Sequence, residues 1–194
     1  MNKLLVAILL FEDVEVLDFA GPFEVFSVAS QLSDYQKLEV LTVAKEKKTI
    51  RAKNGLQVMP DREIGELSHV DILVLPGGDG SRAVIEDEYL MGWIEQIPKG
   101  AQAVFTVCSG ARMLAKLGFL DHKAFTTHHL VFEDVLSLAP TAIPNPKARF
   151  VDHGKFMTAA GVSAGIDLSL HVVEKLFGKS LSDDTARYME YKGR

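Results

Sequence analysis

The one cysteine of the chain, Cys108, ends the apolar run Ala103-Val104-Phe105-Thr106-Val107 and is followed by Ser109-Gly110 and a helical stretch, Ala111 to Leu117. A nucleophile at a sharp strand-to-helix turn stands clear of the sheet, above the free N–H groups of the helix that follows. The partial positive charge of a helix N-terminus favours thiolate over thiol, so this spacing predicts ionisation below the free value of roughly 8.5. Taken by itself, a lone cysteine at the end of an apolar strand is more often packing than chemistry. Ser109 and Gly110 shift that balance, because small residues keep the approach to sulfur open and let the chain turn tightly. The G-x-S-x-G pattern is met only in part, since Thr106 occupies the first glycine position.

Two further stretches could serve the same chemistry. Asp18 lies among apolar neighbours, Val16-Leu17-Asp18-Phe19-Ala20. It reads either as a cap for a helix beginning at Gly21-Pro22 or as a functional acid. Glu24, one turn into that helix, serves the helix dipole or joins the site. A carboxyl group beside a thiolate shares its negative charge poorly, so its pKa should rise and the pair should hold one proton for a substrate. Gly77 and Gly78 follow the strand Asp71 to Leu75, and their N–H groups form either an oxyanion-binding loop or a flexible turn. Adjacent His128 and His129 point to opposite sides of a strand and do not chelate one ion, so no metal is expected there. His128 stays open as a base for Cys108. His153 and His171 read as surface or packing residues, and Asp167 as a cap or an ion-pair partner.

The elements that would position these residues alternate between strand and helix. Lys3 to Phe11 is a near-continuous apolar run, the pattern of a parallel strand covered on both faces. A loop, Glu12 to Ala20, delivers Asp18 to the helix begun by Gly21-Pro22, where proline suits the first turn. Lys37 to Ala44 is a second strand, Lys48 to Met59, around Asn54-Gly55, a hairpin or an edge excursion, and Ser81 to Ile97 a helical stretch. Arg149 to Ala159 reads as a hairpin turning at Asp152 to Gly154, and Gly161 to Phe177 as a long buried helix. Ligands of open parallel sheets bind outside the carboxyl ends of the strands, so the loops of Asp18, Gly77-Gly78 and Cys108 should converge there.

Composition narrows the class. The 194 residues are 47% hydrophobic and 24% charged, which fits one ordinary α/β domain spanning 1–194. A net charge of −5 argues against a nucleic-acid partner. No stretch approaches the roughly 20 apolar residues of a membrane span, and no signal-peptide cleavage region follows the first residues, so a cytoplasmic location is expected. A single cysteine excludes internal disulfides.

Together, Leu17-Asp18-Phe19-Ala20-Gly21-Pro22-x-Glu24, Leu75-Pro76-Gly77-Gly78, Val107-Cys108-Ser109-Gly110-Ala111, Thr126-Thr127-His128 and Thr158 to Leu168 resemble the ThiJ/PfpI superfamily, in order and over nearly the whole chain. Within it they are most similar to the branch containing isocyanide hydratase and the amidotransferase-like sensor domains of AraC-type regulators. The resemblance implies a flavodoxin-like three-layer sandwich with a mostly parallel central sheet, a nucleophile elbow and a homodimer. It implies Cys108 as nucleophile and Asp18 as the acid beside it, with Gly77, Gly78 and the Ser109 N–H as donors to developing negative charge. The expected activity is hydration of an isocyanide to an N-substituted formamide, which requires no metal or organic cofactor. The alternatives are a small-molecule-binding or regulatory module without turnover, and glyoxalase-, deglycase-, amidase- or protease-like chemistry on the same nucleophile. Ser109 departs from the histidine or alanine usual after the cysteine in PfpI-type proteases and deglycases, and no His-x-Glu pair follows Cys108 as in glutamine amidotransferases. The regulators carry a helix-turn-helix region after this domain, whereas this sequence ends at Arg194, so direct DNA binding is not expected.

Overall fold

Uninterrupted apolar runs have no polar side to turn toward water, and here they become the inner strands of a sheet covered on both faces. This computed structural model describes residues 3–193. Its strands, numbered along the chain, are β1 (Leu4–Leu9), β2 (Leu38–Ala44), β3 (Ile50–Arg51), β4 (Gln57–Val58), β5 (Arg62–Glu63), β6 (Ile72–Leu75), β7 (Ala103–Val107), β8 (Ala124–Phe125), β9 (Ile143–Pro144), β10 (Phe150–His153) and β11 (Phe156–Ala159). The helices are α1 (Val16–Leu32), α2 (Ser81–Val84), α3 (Glu88–Gln96), α4 (Ala111–Lys116), α5 (Phe132–Leu138), α6 (Ala164–Phe177) and α7 (Lys179–Tyr188).

The main sheet runs β10-β11-β7-β6-β1-β2-β5, parallel except where β10 folds back on β11. Its central part, β2-β1-β6-β7-β11, has the flavodoxin-like order in which the direction of winding reverses beside the first strand, between β1 and β6. Every residue of β6 and β7 is buried. Helices α1, α6 and α7 pack together as one layer, and α4 packs with α2 and α5 as another. Phe26 on α1 meets Phe105 on β7, with ring centroids 6.2 Å apart, and ties the first layer to the sheet.

Four elements depart from the sequence reading. Helix α1 begins at Val16 rather than at Gly21, so Asp18 lies in its first turn and not in a loop, and Pro22 sits inside the helix. Proline there removes only the N–H that would bond the Asp18 carbonyl, and burial of Phe19, Pro22, Val25, Phe26 and Ala29 outweighs that loss. The Ser81 to Ile97 stretch divides into α2 and α3, because the Asp87 side chain accepts the N–H groups of Tyr89 and Leu90 and starts a new helix. Edge strand β5 and helix α7 carry too little apolar alternation to stand out in the sequence. Of the two readings of the Asn54-Gly55 segment, the hairpin is the one that forms, from β3 and β4, with φ of 65° and 98° at its tip.

Candidate functional site

Four loops at the carboxyl edge of the sheet meet at the winding reversal: those leaving β1, β6, β7 and β11. The loop after β7 is the elbow. Cys108 holds φ of 55°, a left-handed conformation that costs a non-glycine residue about 1 kcal/mol or more. Its backbone is tied down from the β11 side and from the loop after β8. The Cys108 N–H donates to the Ala160 carbonyl at 3.0 Å, and the Thr127 hydroxyl donates to the Cys108 carbonyl at 2.6 Å. Gly110 is required by packing, since a Cβ there would stand 2.1 Å from the Leu75 carbonyl oxygen.

Cys108 is 7% exposed and Asp18 is fully buried beside it. Asp18 Oδ2 accepts the Gly77 N–H at 3.0 Å, whereas Oδ1 has no hydrogen-bond partner. Burial, reinforced by nearby Glu15, outweighs the Gly77 N–H and lifts the Asp18 carboxyl to about 7. Burial first and the Asp18 charge second push the Cys108 thiol up to about 12, against the N–H groups of Val162 and Ser109 that face the sulfur. The helix-terminus argument for a low thiol pKa is therefore overturned. Loss of water around a sealed sulfur beside a carboxylate outweighs the few N–H dipoles available to it. The pair keeps at least one proton through the neutral range. A proton on Asp18 removes the like-charge push on the sulfur.

The glycine loop has a different task from the one the sequence suggested. Gly77 N–H is spent on Asp18, and Gly78 N–H donates to Ser109 Oγ at 2.9 Å, so neither is a free oxyanion donor. A Cβ on Gly77 would stand 2.6 Å from Ser109 N and Oγ and 2.9 Å from Asp18 Oδ2, so only glycine admits this contact. Ser109 N–H does face the sulfur. Its companion is the N–H of Val162, which the sequence reading did not assign. Val162 has φ of 40°, a strained value for a β-branched residue. The run of small residues Ala159-Ala160-Gly161 before it was the available signal. Glu24 is exposed on α1.

At the mouth, Lys53 from the β3–β4 turn lies 3.3 Å from Asp79 and 3.9 Å from Glu15, and its charge acts on both Asp18 and Cys108. His128 packs against Gly161, where an added Cβ would lie 2.6 Å from its ring, and burial together with His129 lowers its pKa. His153 reaches the Ala124 carbonyl at 2.8 Å, and Asp167 pairs with Arg149. No group of three or more His, Cys, Asp or Glu side chains that could hold a metal occurs among the described residues. No helix among them is long and apolar enough to cross a membrane.

Residues 5–175 match the sequence profile of the DJ-1/PfpI family. The isonitrile hydratase of Pseudomonas putida is 32% identical over 188 residues, 96% of this chain and 78% of that protein. The HTH-type transcriptional regulator GbdR of Pseudomonas aeruginosa is 25% identical over 181 residues, which span 93% of this chain but 49% of the regulator. Among solved structures, a THiJ/PfpI family protein from Pseudomonas syringae superposes with a TM-score of 0.88 at 26% identity, over 100% of this chain and 77% of that one. Drosophila melanogaster DJ-1beta superposes with a TM-score of 0.84 at 20% identity, over 98% of both chains.

Proposed function

Since the chain belongs to the DJ-1/PfpI family, we propose that it is a cysteine-dependent hydratase that converts an isocyanide to an N-substituted formamide. One observation carries this reading: a fully buried carboxyl that titrates near 7 is held beside the sulfur with one oxygen unpartnered. The terminal carbon of R–N≡C is unusual in accepting a nucleophile and a proton at the same atom. A proton donor next to the nucleophile is the arrangement such an addition needs. The thiol proton passes to the Asp18 carboxylate as sulfur bonds to the terminal carbon, and Asp18 then delivers it to that carbon, giving the thioimidate R–N=CH–S-Cys108. Water adds to the thioimidate carbon and the C–S bond breaks. The proton released by water returns to the sulfur and the other moves to nitrogen, leaving R–NH–CHO and the free thiol.

Acyl or carbonyl chemistry, which develops charge on oxygen, would draw on the Ser109 and Val162 N–H groups, because those of Gly77 and Gly78 already have partners. The near-closed sulfur favours a slender electrophile over a peptide. A regulatory module that binds without turnover is the second reading, supported by the match to part of GbdR. We place the protein in the cytoplasm, where a free thiol stays reduced, and expect it to act as a homodimer.

Incubation with an aryl isocyanide in H₂¹⁸O separates the readings. The hydratase yields labelled formamide, and Cys108→Ala loses at least about 10³-fold of the rate. Saturable isocyanide binding with no formamide and no covalent adduct would sink the enzyme and leave the binding module.

A further inference from the structure

We propose that Arg112 is a positioning residue that aims the Gly77-Gly78 loop at Asp18, acting through Ser81; this rests on the reading of Cys108 and Asp18 as the reacting pair. Arg112 lies on α4, just beyond the elbow, with its side chain only 3% exposed. A buried guanidinium is expensive where an apolar side chain would pack, so its contacts need a reason. Its Nε donates to Asp134 Oδ2 at 3.2 Å, Nη2 meets the same oxygen, and Nη1 donates to Ser81 Oγ at 2.7 Å.

The direction of the bonds that follow is fixed by what arginine cannot do. A guanidinium has no acceptor, so Ser81 Oγ must accept from it, and the single Ser81 proton is left to donate. The Gly78 carbonyl at 2.7 Å takes that proton in preference to Ser109 Oγ at 3.3 Å. Ser109 Oγ accepts the Gly78 N–H at 2.9 Å and gives its own proton to the Gly78 carbonyl at 3.1 Å. Gly78 is thus held at both its N–H and its carbonyl from the α4 side. From the other side, Glu15 N–H donates to the Gly77 carbonyl at 2.9 Å and Val14 pairs with Gly78. The loop held between these two clamps presents Gly77 N–H to Asp18 Oδ2, which leaves Oδ1 as the oxygen without a partner. Arg112 thereby decides which carboxyl oxygen carries the working proton.

The titratable groups facing Asp18 are Glu15 on its own helix, Cys108 at the elbow and Lys53 from the hairpin, and Arg112 faces Asp134, which Arg82 also meets. A cavity of about 390 Å³ lined by Arg82, Arg112 and Asp134 opens behind the elbow, so removal of the guanidinium leaves Asp134 in reach of water rather than stranded.

The test is the titration of the Asp18 carboxyl by ¹³C NMR, assigned through Asp18→Asn, in the wild type, Arg112→Leu, Arg112→Lys and Ser81→Ala. Loss of the Gly77 N–H, which lowers the Asp18 pKa, should raise its midpoint by about half a pH unit or more in Arg112→Leu and Ser81→Ala. Arg112→Lys, which keeps a donor to Ser81, should return most of that shift. An unchanged midpoint in a folded variant with a lowered melting temperature would overturn the proposal and leave Arg112 as a tie between α4 and α5. If Arg112→Leu does not fold, Ser81→Ala, which keeps the ion pair, decides the question by the same readout. The titration needs no turnover: a shifted midpoint without formamide would sink the hydratase alone, and an unshifted midpoint with formamide would sink the positioning role alone.

Discussion

Asp18 and Asp152 are both partly or wholly withdrawn from water, and in both, burial works to raise the pKa; yet one ends high and the other low. Asp152, on edge strand β10, meets His171 Nε2 at 2.7 Å, Lys175 Nζ at 3.0 Å and the Gly154 N–H at 2.6 Å. These partners outweigh burial and hold its carboxyl below the usual range. Asp18 has one N–H, an oxygen without a partner and the Cys108 sulfur, whose hydrogen bond is too weak to offset burial, and it rises to about 7. What separates the two is the supply of opposite charge, not depth alone. Asp152 is satisfied and anchors a corner of the fold. Asp18 is left unsatisfied, and a carboxyl in that state is one poised to give up or take a proton.

The sharpest way to break this comparison is Asp18→Asn. Turnover of an isocyanide should fall on the order of 10²- to 10⁴-fold, the usual worth of a positioned proton donor. Alkylation of Cys108 by iodoacetamide should respond in the opposite sense. The Asp18 charge raises the thiol pKa, so its removal lowers that pKa and speeds modification near neutrality. Stability gives a second, independent reading. The folded Asp18 pKa lies above the unfolded value of 3.8, so its contribution is present in full below about 4 and is lost as pH rises through 7. The loss amounts to roughly 4 kcal/mol at most. Asp18→Asn should therefore melt several degrees above the wild type at pH 8 and show no such advantage at pH 4. Equal melting at both values would mean that Asp18 is not the strained member of the two.

A smaller perturbation of the same site is Gly77→Ala. The new methyl would overlap Ser109 N and Oγ and crowd Asp18 Oδ2, so the loop must shift and the Gly77 N–H bond must lengthen. The cost in stability should be about 1–3 kcal/mol, as for other overpacked positions. Turnover should drop with it, and the Asp18 midpoint should move upward. Urea denaturation beside the carboxyl titration measures both, and a stable variant with an unmoved midpoint would mean that the close approach has no role in tuning the acid.

The two aspartates also mark how far the sequence could be read. The sheet was legible because its inner strands are unbroken apolar runs, and the elbow because Cys108, Ser109 and Gly110 follow one of them directly. Asp18 was singled out for its apolar neighbours, but its place in the first turn of α1 was hidden by Pro22, a residue whose local preference is to begin a helix rather than to sit inside one. The thiol pKa was misjudged because helix position is visible in a sequence and desolvation is not. Gly77 and Gly78 were found as the right residues with the wrong partners, since hydrogen-bond partners 59 and 31 positions apart in the chain leave no local trace. Val162, Ser81 and Arg112 were missed for the same reason. A backbone N–H is carried by every residue type but proline, and a buried arginine reads in sequence like an exposed one.

The Asp152 corner provides the control that would sharpen the contrast. Its carboxyl pKa is lowered in the folded state, so its contribution is present above the unfolded value of 3.8 and is lost as pH falls through the folded one. Asp152→Asn should destabilise at pH 7 by under about 1 kcal/mol, because the carboxyl, His171 and Lys175 all reach water and screening weakens their attraction. That corresponds to a fall in melting temperature of about 2–4 °C or less. The deficit should shrink toward acid pH as the wild-type carboxyl takes up its own proton, the reverse of the behaviour of Asp18→Asn, which gains as pH rises. Turnover should be untouched, since none of the four loops around Cys108 includes Asp152. Melting curves of both variants across one pH series measure the two slopes together, and two slopes of the same sign would show that burial alone, and not the missing counter-charge, sets Asp18 apart.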